Sequence, residues 1–238
     1  SRLKPSVGMG RVPPGPTRHT VAVRRVGALM LALALTVVGT CCLEAKYRYV
    51  VSGAEKVSYR VPRHWATYRL PTGAVNRLSP DSPGDVQLVW STGFDADPQA
   101  SEKHLAAMGN FGQLVVGYPV GVASIYQVQG SYNQKLSLTE ARKAPLGVDP
   151  LFVSSDVQSL VEIIKYQPVK NFRGLQGSRV RFNLRSTSTS PWSTYDLLAL
   201  IDQSHYRMYT FIIGCSGGCF EKNKSAMDEV INSWRFQK

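Results

Sequence analysis

Apolar and polar residues alternate through Lys56–Val61, so Val57, Tyr59 and Val61 point to one side of a strand that Pro62 ends. Tyr47 and Tyr49 begin another strand just upstream. Residues 71–84 are rich in Pro, Gly, Ser and Asp and read as a loop. Asp85–Trp90 is the next strand, and Asp97-Pro98 then opens a helix through about Met108, with Asp as N-cap and Pro in the first turn. Leu114–Gln129 is apolar and β-branched, a strand interrupted by Gly117, Pro119 and Gly121. Leu138–Lys143 reads as a short helix, and Val157–Tyr166 fits helix and strand equally.

The last third has the sharpest pattern. Val180, Phe182 and Leu184 alternate in a strand over Arg179–Leu184, and residues 185–193 form a Ser/Thr-rich loop. Tyr195–Ile201 and Arg207–Ile213 are two strands joined through Asp202-Gln-Ser-His205 as a hairpin. Met227, Val230, Ile231 and Trp234 follow at i, i+3, i+4 and i+7, the stripe of an amphipathic helix lying on a sheet. Strand aromatics such as Tyr59, Tyr195 and Tyr209 are expected in the core or in cross-strand pairs. The pattern predicts an α+β fold, an antiparallel β-sheet flanked by helices, and no internal repeat.

Upstream of the folded part the pattern changes. Val26–Leu43 is eighteen residues without a charge, which as a helix would span about 27 Å, near the thickness of a bilayer's hydrocarbon core. Arg24 and Arg25 stand before it, and positive residues stay on the side from which insertion starts. The segment therefore reads as a transmembrane or signal-anchor helix, with residues 44–238 as the exported domain. Residues 1–25, with Pro5, Pro13, Pro14 and Pro16, form a basic arm that cannot pack a core. No Ala-x-Ala cleavage site follows, and retention as an anchor is the favoured reading. Cys41 and Cys42 are candidate lipidation sites, because Val38-Gly39-Thr40 before Cys41 loosely resembles a lipobox. An export signal of the twin-arginine kind and an organelle leader remain alternatives.

Charge follows the same division. Arg2, Lys4, Arg11, Arg18, Arg24 and Arg25 fall within residues 1–43, which contain no acid. Taking those six from the 28 Lys and Arg leaves 22 against 16 Asp and Glu. Much of the formal charge of +12 is thus a leader effect, and no later stretch interleaves cations with aromatics, so nucleic acid is not expected as a partner. The hydrophobic fraction of 43% is ordinary for a globular chain able to bury a core.

Candidate chemistry is thin. Cys215-Ser-Gly-Gly-Cys219 has the glycines a small ring needs, and an oxidising compartment would let Cys215 and Cys219 close a disulfide. A zinc site would need two more ligands at suitable spacing, and none stand nearby in sequence. Gly214-Cys-Ser216-Gly-Gly218 satisfies the G-x-S-x-G of a nucleophile elbow between strand and helix. The base and acid should then follow Ser216, yet no His follows His205, so the motif is read as part of a glycine-rich disulfide turn. His19, His64, His104 and His205 are scattered, with His104 inside the helix that Asp97 opens. Asp95 and Asp97 form an Asp-x-Asp read as a loop acid and a helix N-cap rather than a cation site. No catalytic residue, metal or cofactor is expected, and the domain reads as a non-enzyme.

Three pieces together carry a resemblance. Tyr59-Arg-Val-Pro62-Arg-His-Trp65 is a strand with a Pro-x-x-Trp exit, Arg207-Met-Tyr-Thr-Phe211 is a late sheet strand, and Met227-Asp-Glu-Val-Ile231-Asn-Ser-Trp234-Arg-Phe236 is a closing helix with an aromatic end. In this order they resemble the PsbP-like superfamily, which includes PsbP and DcrB-type and actinobacterial lipoproteins, over about residues 46–238. The stretch of about 110–170 is longer than that pattern, and the Cys-Ser-Gly-Gly-Cys segment lies outside it. The resemblance implies a non-catalytic accessory or assembly subunit beside a larger membrane protein complex, with respiratory and photosynthetic complexes among the candidates. The domain would stand on the extracytoplasmic side, periplasmic or lumenal. The alternative is an extracytoplasmic binding protein for a small apolar or lipid ligand held between sheet and helices.

Overall fold

The alternation at Lys56–Val61 is strand β2 (Val57–Pro62), which pairs antiparallel with β1 (Tyr47–Ser52) on one edge and β11 (Arg235–Phe236) on the other. The structure, a computed structural model, describes residues 45–75, 86–108, 117–129 and 135–237. The basic arm with His19, the apolar run 26–43, Cys41 and Cys42 lie outside the described residues. Among the described residues no helix is long and apolar enough to cross a membrane.

A second, larger sheet contains β3 (Ala66–Arg69), β4 (Gly73–Val75), β5 (Val86–Asp95), β6 (Val120–Val128), β7 (Val161–Phe172), β8 (Leu175–Leu184), β9 (Ser193–Asp202) and β10 (Arg207–Ser216). Its order is β3-β5-β6-β10-β9-β8-β7, with β4 on β5, and every pairing is antiparallel. Lys46–Lys238 forms one compact unit. The antiparallel sheets and few helices are the α+β class that the pattern predicts.

Both faces of the large sheet are covered over its middle strands, which explains the near-continuous apolar runs of β9 and β10. On one face, Phe94, Phe211 and Ile213 pack against Val57, Tyr59 and Val61 of the small sheet and against helix α3 (Gly217–Asn232). Trp234 follows the helix rather than riding on it. It is 1% exposed and meets Phe211 edge-on at 5.3 Å. On the opposite face, Phe182, Tyr195, Leu197 and Ile212 pack with Leu105 and Met108 of α1 (Glu102–Met108) and Ala141 of α2 (Leu138–Lys143). Gly93 permits this docking, because a Cβ there would lie 2.5 Å from Leu105 Cδ1. Tyr59 and Tyr195 are fully buried, as core aromatics should be.

Several boundaries differ from the expected ones, each for a local reason. Helix α1 starts at Glu102, four residues beyond Pro98, because Asp95 and Asp97 spend their carboxylates on turn N–H groups instead of capping. The strand expected at Asp85–Trp90 runs on to Asp95, and the loop expected at 71–84 contains β4. The ambiguous Val157–Tyr166 resolves into a 3-10 turn (Gln158–Leu160) followed by the long β7. Helix α2 falls where expected, with a capping box in which Ser137 Oγ accepts from Glu140 N at 3.2 Å and Glu140 accepts from Ser137 N at 2.7 Å.

Candidate functional site

The strand expected over Arg207–Ile213 continues to Ser216, and α3 begins at the next residue. Cys215-Ser-Gly-Gly-Cys219 is therefore a strand-to-helix junction rather than a free turn. Cys215 and Cys219 are disulfide-bonded, with Cα atoms 5.9 Å apart, and both are buried. Ser216 sits at the helix N-cap, where its side chain makes no capping hydrogen bond. The position is that of a nucleophile elbow, but the partners are elsewhere. His205 lies at the far end of β10, and ten antiparallel residues span about 30 Å. Its Nδ1 is 3.0 Å from the Leu136 carbonyl oxygen, which fixes the ring against the loop before α2. His64 stands edge-on to the Trp65 ring at 6.4 Å.

Among the described residues His104 is the histidine that pairs with a carboxylate, with Nδ1 2.7 Å from Asp95 Oδ2. Asp95 is fully buried, and it also accepts from Asp97 N and Ser101 N at 2.9 Å each. Both of its oxygens are thus engaged by N–H donors, and the arrangement clamps the start of α1 to the end of β5. Asp97 accepts from Gln99 N. The Asp-x-Asp is a pair of turn acids, not a helix N-cap. Among the described residues no group of three His, Cys, Asp or Glu is placed to hold a metal.

Three hollows mark where the domain can receive something. The first, about 390 Å³, lies between β5, β6 and β10 and helices α1 and α2. Its existence follows from residue size: Ser91, Ser124 and Thr210 are register neighbours across the three strands and form a row of small side chains on a face otherwise filled by large ones. Ser91 and Ser124 share a hydroxyl hydrogen bond of 2.9 Å, and Leu88, Leu105, Met108 and Ile212 supply apolar wall. Tyr126 borders it, and burial pushes its phenol above the usual range.

The second hollow, about 440 Å³, is a groove between β7 and α3 with Val169, Phe172, Ile231 and Trp234 in its lining. At one end of it Arg179 and Arg181 are held by Asp196 and Asp228. Arg179 donates to Asp196 at 2.7 and 2.8 Å and to Asp228 at 2.5 Å, and Arg181 donates to the same two acids. These guanidiniums are committed to pinning α3 on β8 and β9. The third hollow, about 490 Å³, is a cleft where β1 of the small sheet faces β3 of the large one.

The other feature that sequence reading did not isolate is β7 itself. It ends the large sheet, and Ile163, Ile164 and Tyr166 are 41%, 50% and 50% exposed. The signal was present in the Ile-Ile-Lys-Tyr run, but a strand exposed on both faces has no alternation to read.

No family model matches the chain, and no curated protein does. Among solved structures it is similar to the cyanobacterial PsbP of Synechocystis sp. PCC 6803, at 12% identity and a TM-score of 0.43 over 83% of this chain and 98% of that one. It is similar also to LpqN of Mycobacterium tuberculosis, involved in cell envelope biogenesis, at 11% identity and 0.43 over 82% and 93% of the chains. The Ran-binding protein Mog1p of Saccharomyces cerevisiae matches at 8% identity and 0.38 over 81% and 96%. The PsbP-like resemblance carried by the sequence is met again in the first of these.

Proposed function

We propose that this chain is a non-catalytic, membrane-anchored accessory or assembly subunit of a larger membrane protein complex, with its folded domain on the extracytoplasmic side and β7 as the seat of its partner. The observation that carries this reading is the edge strand. An unpaired strand edge with exposed Ile163, Ile164 and Tyr166 invites pairing, and natural sheets protect such edges. Here Lys165, Lys170, Pro168 and the register shifts at Ile163/Lys165 and Val169/Phe172 discourage indiscriminate pairing while the apolar strip stays open. That combination suits one selected partner. The apolar run 26–43 behind an acid-free basic arm supplies the membrane tether.

The test is purification from native membranes in mild detergent. The wild-type chain should migrate in a complex far larger than its 26.2 kDa, and Ile163→Lys with Ile164→Glu should release it. A wild-type chain that migrates as a monomer refutes the reading.

The cavity between β5, β6, β10 and α1, α2 favours a second reading, an extracytoplasmic binding protein for a small apolar or lipid ligand. Its mainly apolar wall and row of three hydroxyls suit an amphiphile with a hydroxyl or carbonyl head. Organic extraction of the purified protein followed by mass spectrometry separates the two readings: a stoichiometric lipid on a monomer supports the second.

A further inference from the structure

The outward face of the small sheet is unlike the rest of the surface. Tyr49 and Val51 on β1 are 66% and 62% exposed, among the most exposed large apolar side chains of the described domain. They alternate with Val50, which packs on the core, and Ser52, which is buried, so the strand is amphipathic in the inverted sense for a free surface. Cross-strand, Tyr49 lies opposite Arg60 and Tyr47 opposite Pro62.

Cations stand along this strand and its neighbour. Arg60 lies 4.4 Å from the centroid of the Tyr47 ring and Lys46 lies 5.1 Å from it. Arg48 is exposed and is braced by Thr67 Oγ1 at 3.3 Å and the Arg63 carbonyl at 3.1 Å. The acid that faces these groups, Glu229 of α3, is bonded to the Tyr47 hydroxyl and to Arg60 at 2.6 Å, and those contacts hold its carboxyl below the usual range. Arg60 is thereby neutralised, while Lys46 and Arg48, at the positions that alternate with Tyr47, Tyr49 and Val51, are left as positive charge along the other side of the same edge strand.

Tyrosine and valine flanked by Lys and Arg is the composition of a membrane-interface contact, with the ring at headgroup depth and the cations on lipid phosphates. The chain supplies the proximity. Only Glu44, Ala45 and Lys46 separate the apolar run ending at Leu43 from Tyr47, and three residues reach at most about 10 Å. We infer that the free edge of β1, with Tyr49 and Val51 turned to one side and Lys46 and Arg48 to the other, is a docking surface for anionic lipid headgroups. It holds the domain flat on the membrane rather than leaving it free on a stalk. The inference takes its setting from the anchored reading above, but its test does not require the anchor.

The experiment offers the compact unit, Lys46–Lys238, to sedimentable vesicles. One set is phosphatidylcholine alone, and the other contains one third phosphatidylglycerol. Binding should be about tenfold stronger to the anionic set at low salt and should be lost in high salt, as exposed charge pairs are screened. Lys46→Ser with Arg48→Ser should weaken it about tenfold or more, and Tyr49→Ser with Val51→Ser should weaken it as well. Lys165→Ser with Lys170→Ser, on β7, should leave it unchanged. Circular dichroism confirms that each variant is folded, and all these side chains are exposed. Equal binding to both vesicle sets overturns the inference. So does no binding to the anionic set, or a β7 pair that matters as much as the β1 pair. None of these results bears on β7 as a partner's seat, which the native-membrane purification tests separately.

Discussion

Tyr59 and Thr92 join the two sheets through a buried hydroxyl–hydroxyl hydrogen bond of 2.9 Å. The Tyr59 ring also lies 5.0 Å from Phe211 and 6.1 Å from Phe94, so this one side chain contacts the large sheet through both its polar and its apolar parts. Replacing Tyr59 with Phe keeps the ring and leaves the Thr92 hydroxyl buried without its partner. A loss of about 1–2 kcal/mol is expected, read as a lower urea midpoint at constant slope. Adding Thr92→Val to Tyr59→Phe should restore a good part of it, since removing both partners costs less than stranding one. Strictly additive losses would show that the hydroxyl pair contributes nothing.

Alkaline pH should unfold the domain through its phenols. Burial raises Tyr59, Tyr126 and Tyr209 above the ordinary tyrosine value, Tyr59 far above it. A group raised in the folded state lends stability that is complete below its unfolded value of about 10 and declines as pH climbs toward the folded value. Stability should therefore be flat with respect to these groups up to about pH 10 and fall beyond it. Absorbance at 295 nm should show these phenols ionising only as the fold is lost. Full ionisation of all eleven tyrosines near pH 10 with unchanged circular dichroism would contradict this.

The Cys215–Cys219 ring encloses few residues, so chain entropy gives it less than the roughly 3 kcal/mol expected of a 15-residue loop. Its larger effect is on direction, because it fixes how α3 leaves β10 and thus how Met227, Ile231 and Trp234 seat. Cys215→Ser with Cys219→Ser should fold, melt a few degrees lower and expose Trp234 more readily to acrylamide quenching. Alkylation of the untreated protein comes first: full modification of both thiols without reductant removes the disulfide.

Arg142 and Asp149 are both buried, with Nε and Nη2 of the arginine donating to the carboxylate at 2.8–3.0 Å. Asp149 also accepts from Leu151 N at 3.0 Å, so the pair folds residues 144–152 back against α2. Arg142→Met strands a buried carboxylate and should cost about 3 kcal/mol or more. The damage should appear first as proteolytic cutting between residues 144 and 153. A variant with unaltered melting and protease resistance would show the pair to be dispensable.

Ser216→Ala should leave any p-nitrophenyl ester turnover unchanged, because among the described residues no imidazole is hydrogen-bonded to Ser216. Loss of measured turnover in that variant would mark the domain as an enzyme.

Where one side of an element is buried and the other wet, the sequence reports it. The alternation of β2 and β8 and the stripe of Met227, Val230 and Ile231 on α3 were readable for that reason. Reading failed where burial does not alternate. β7 is exposed on both faces, and the four residues of β3 are too few to show a period. Asp97-Pro98 misled because an Asp before a Pro opens a turn as readily as a helix, and the choice was made by the buried carboxylate of Asp95 and its hold on Ser101 N. Of the candidate sites, the Cys215–Cys219 pair was plain from spacing. The cavity was not, because Ser91, Ser124 and Thr210 become one row only through strand register.

The order of strands in the large sheet also sets a timetable. β7, β8, β9 and β10 follow one another as hairpins and can zip together from local contacts, but β6 waits for β10, about eighty residues later in the chain. The small sheet likewise lacks β11 until residues 235–236 have been made. A nascent chain emerging N-terminus first would hold β5 and β6 with an open apolar edge until residues 207–236 arrive to close both sheets at once. Truncation anywhere in that last segment should therefore yield an insoluble product rather than a shortened domain, and any cellular factor that attends this protein's birth would find its substrate in the waiting edge of β6.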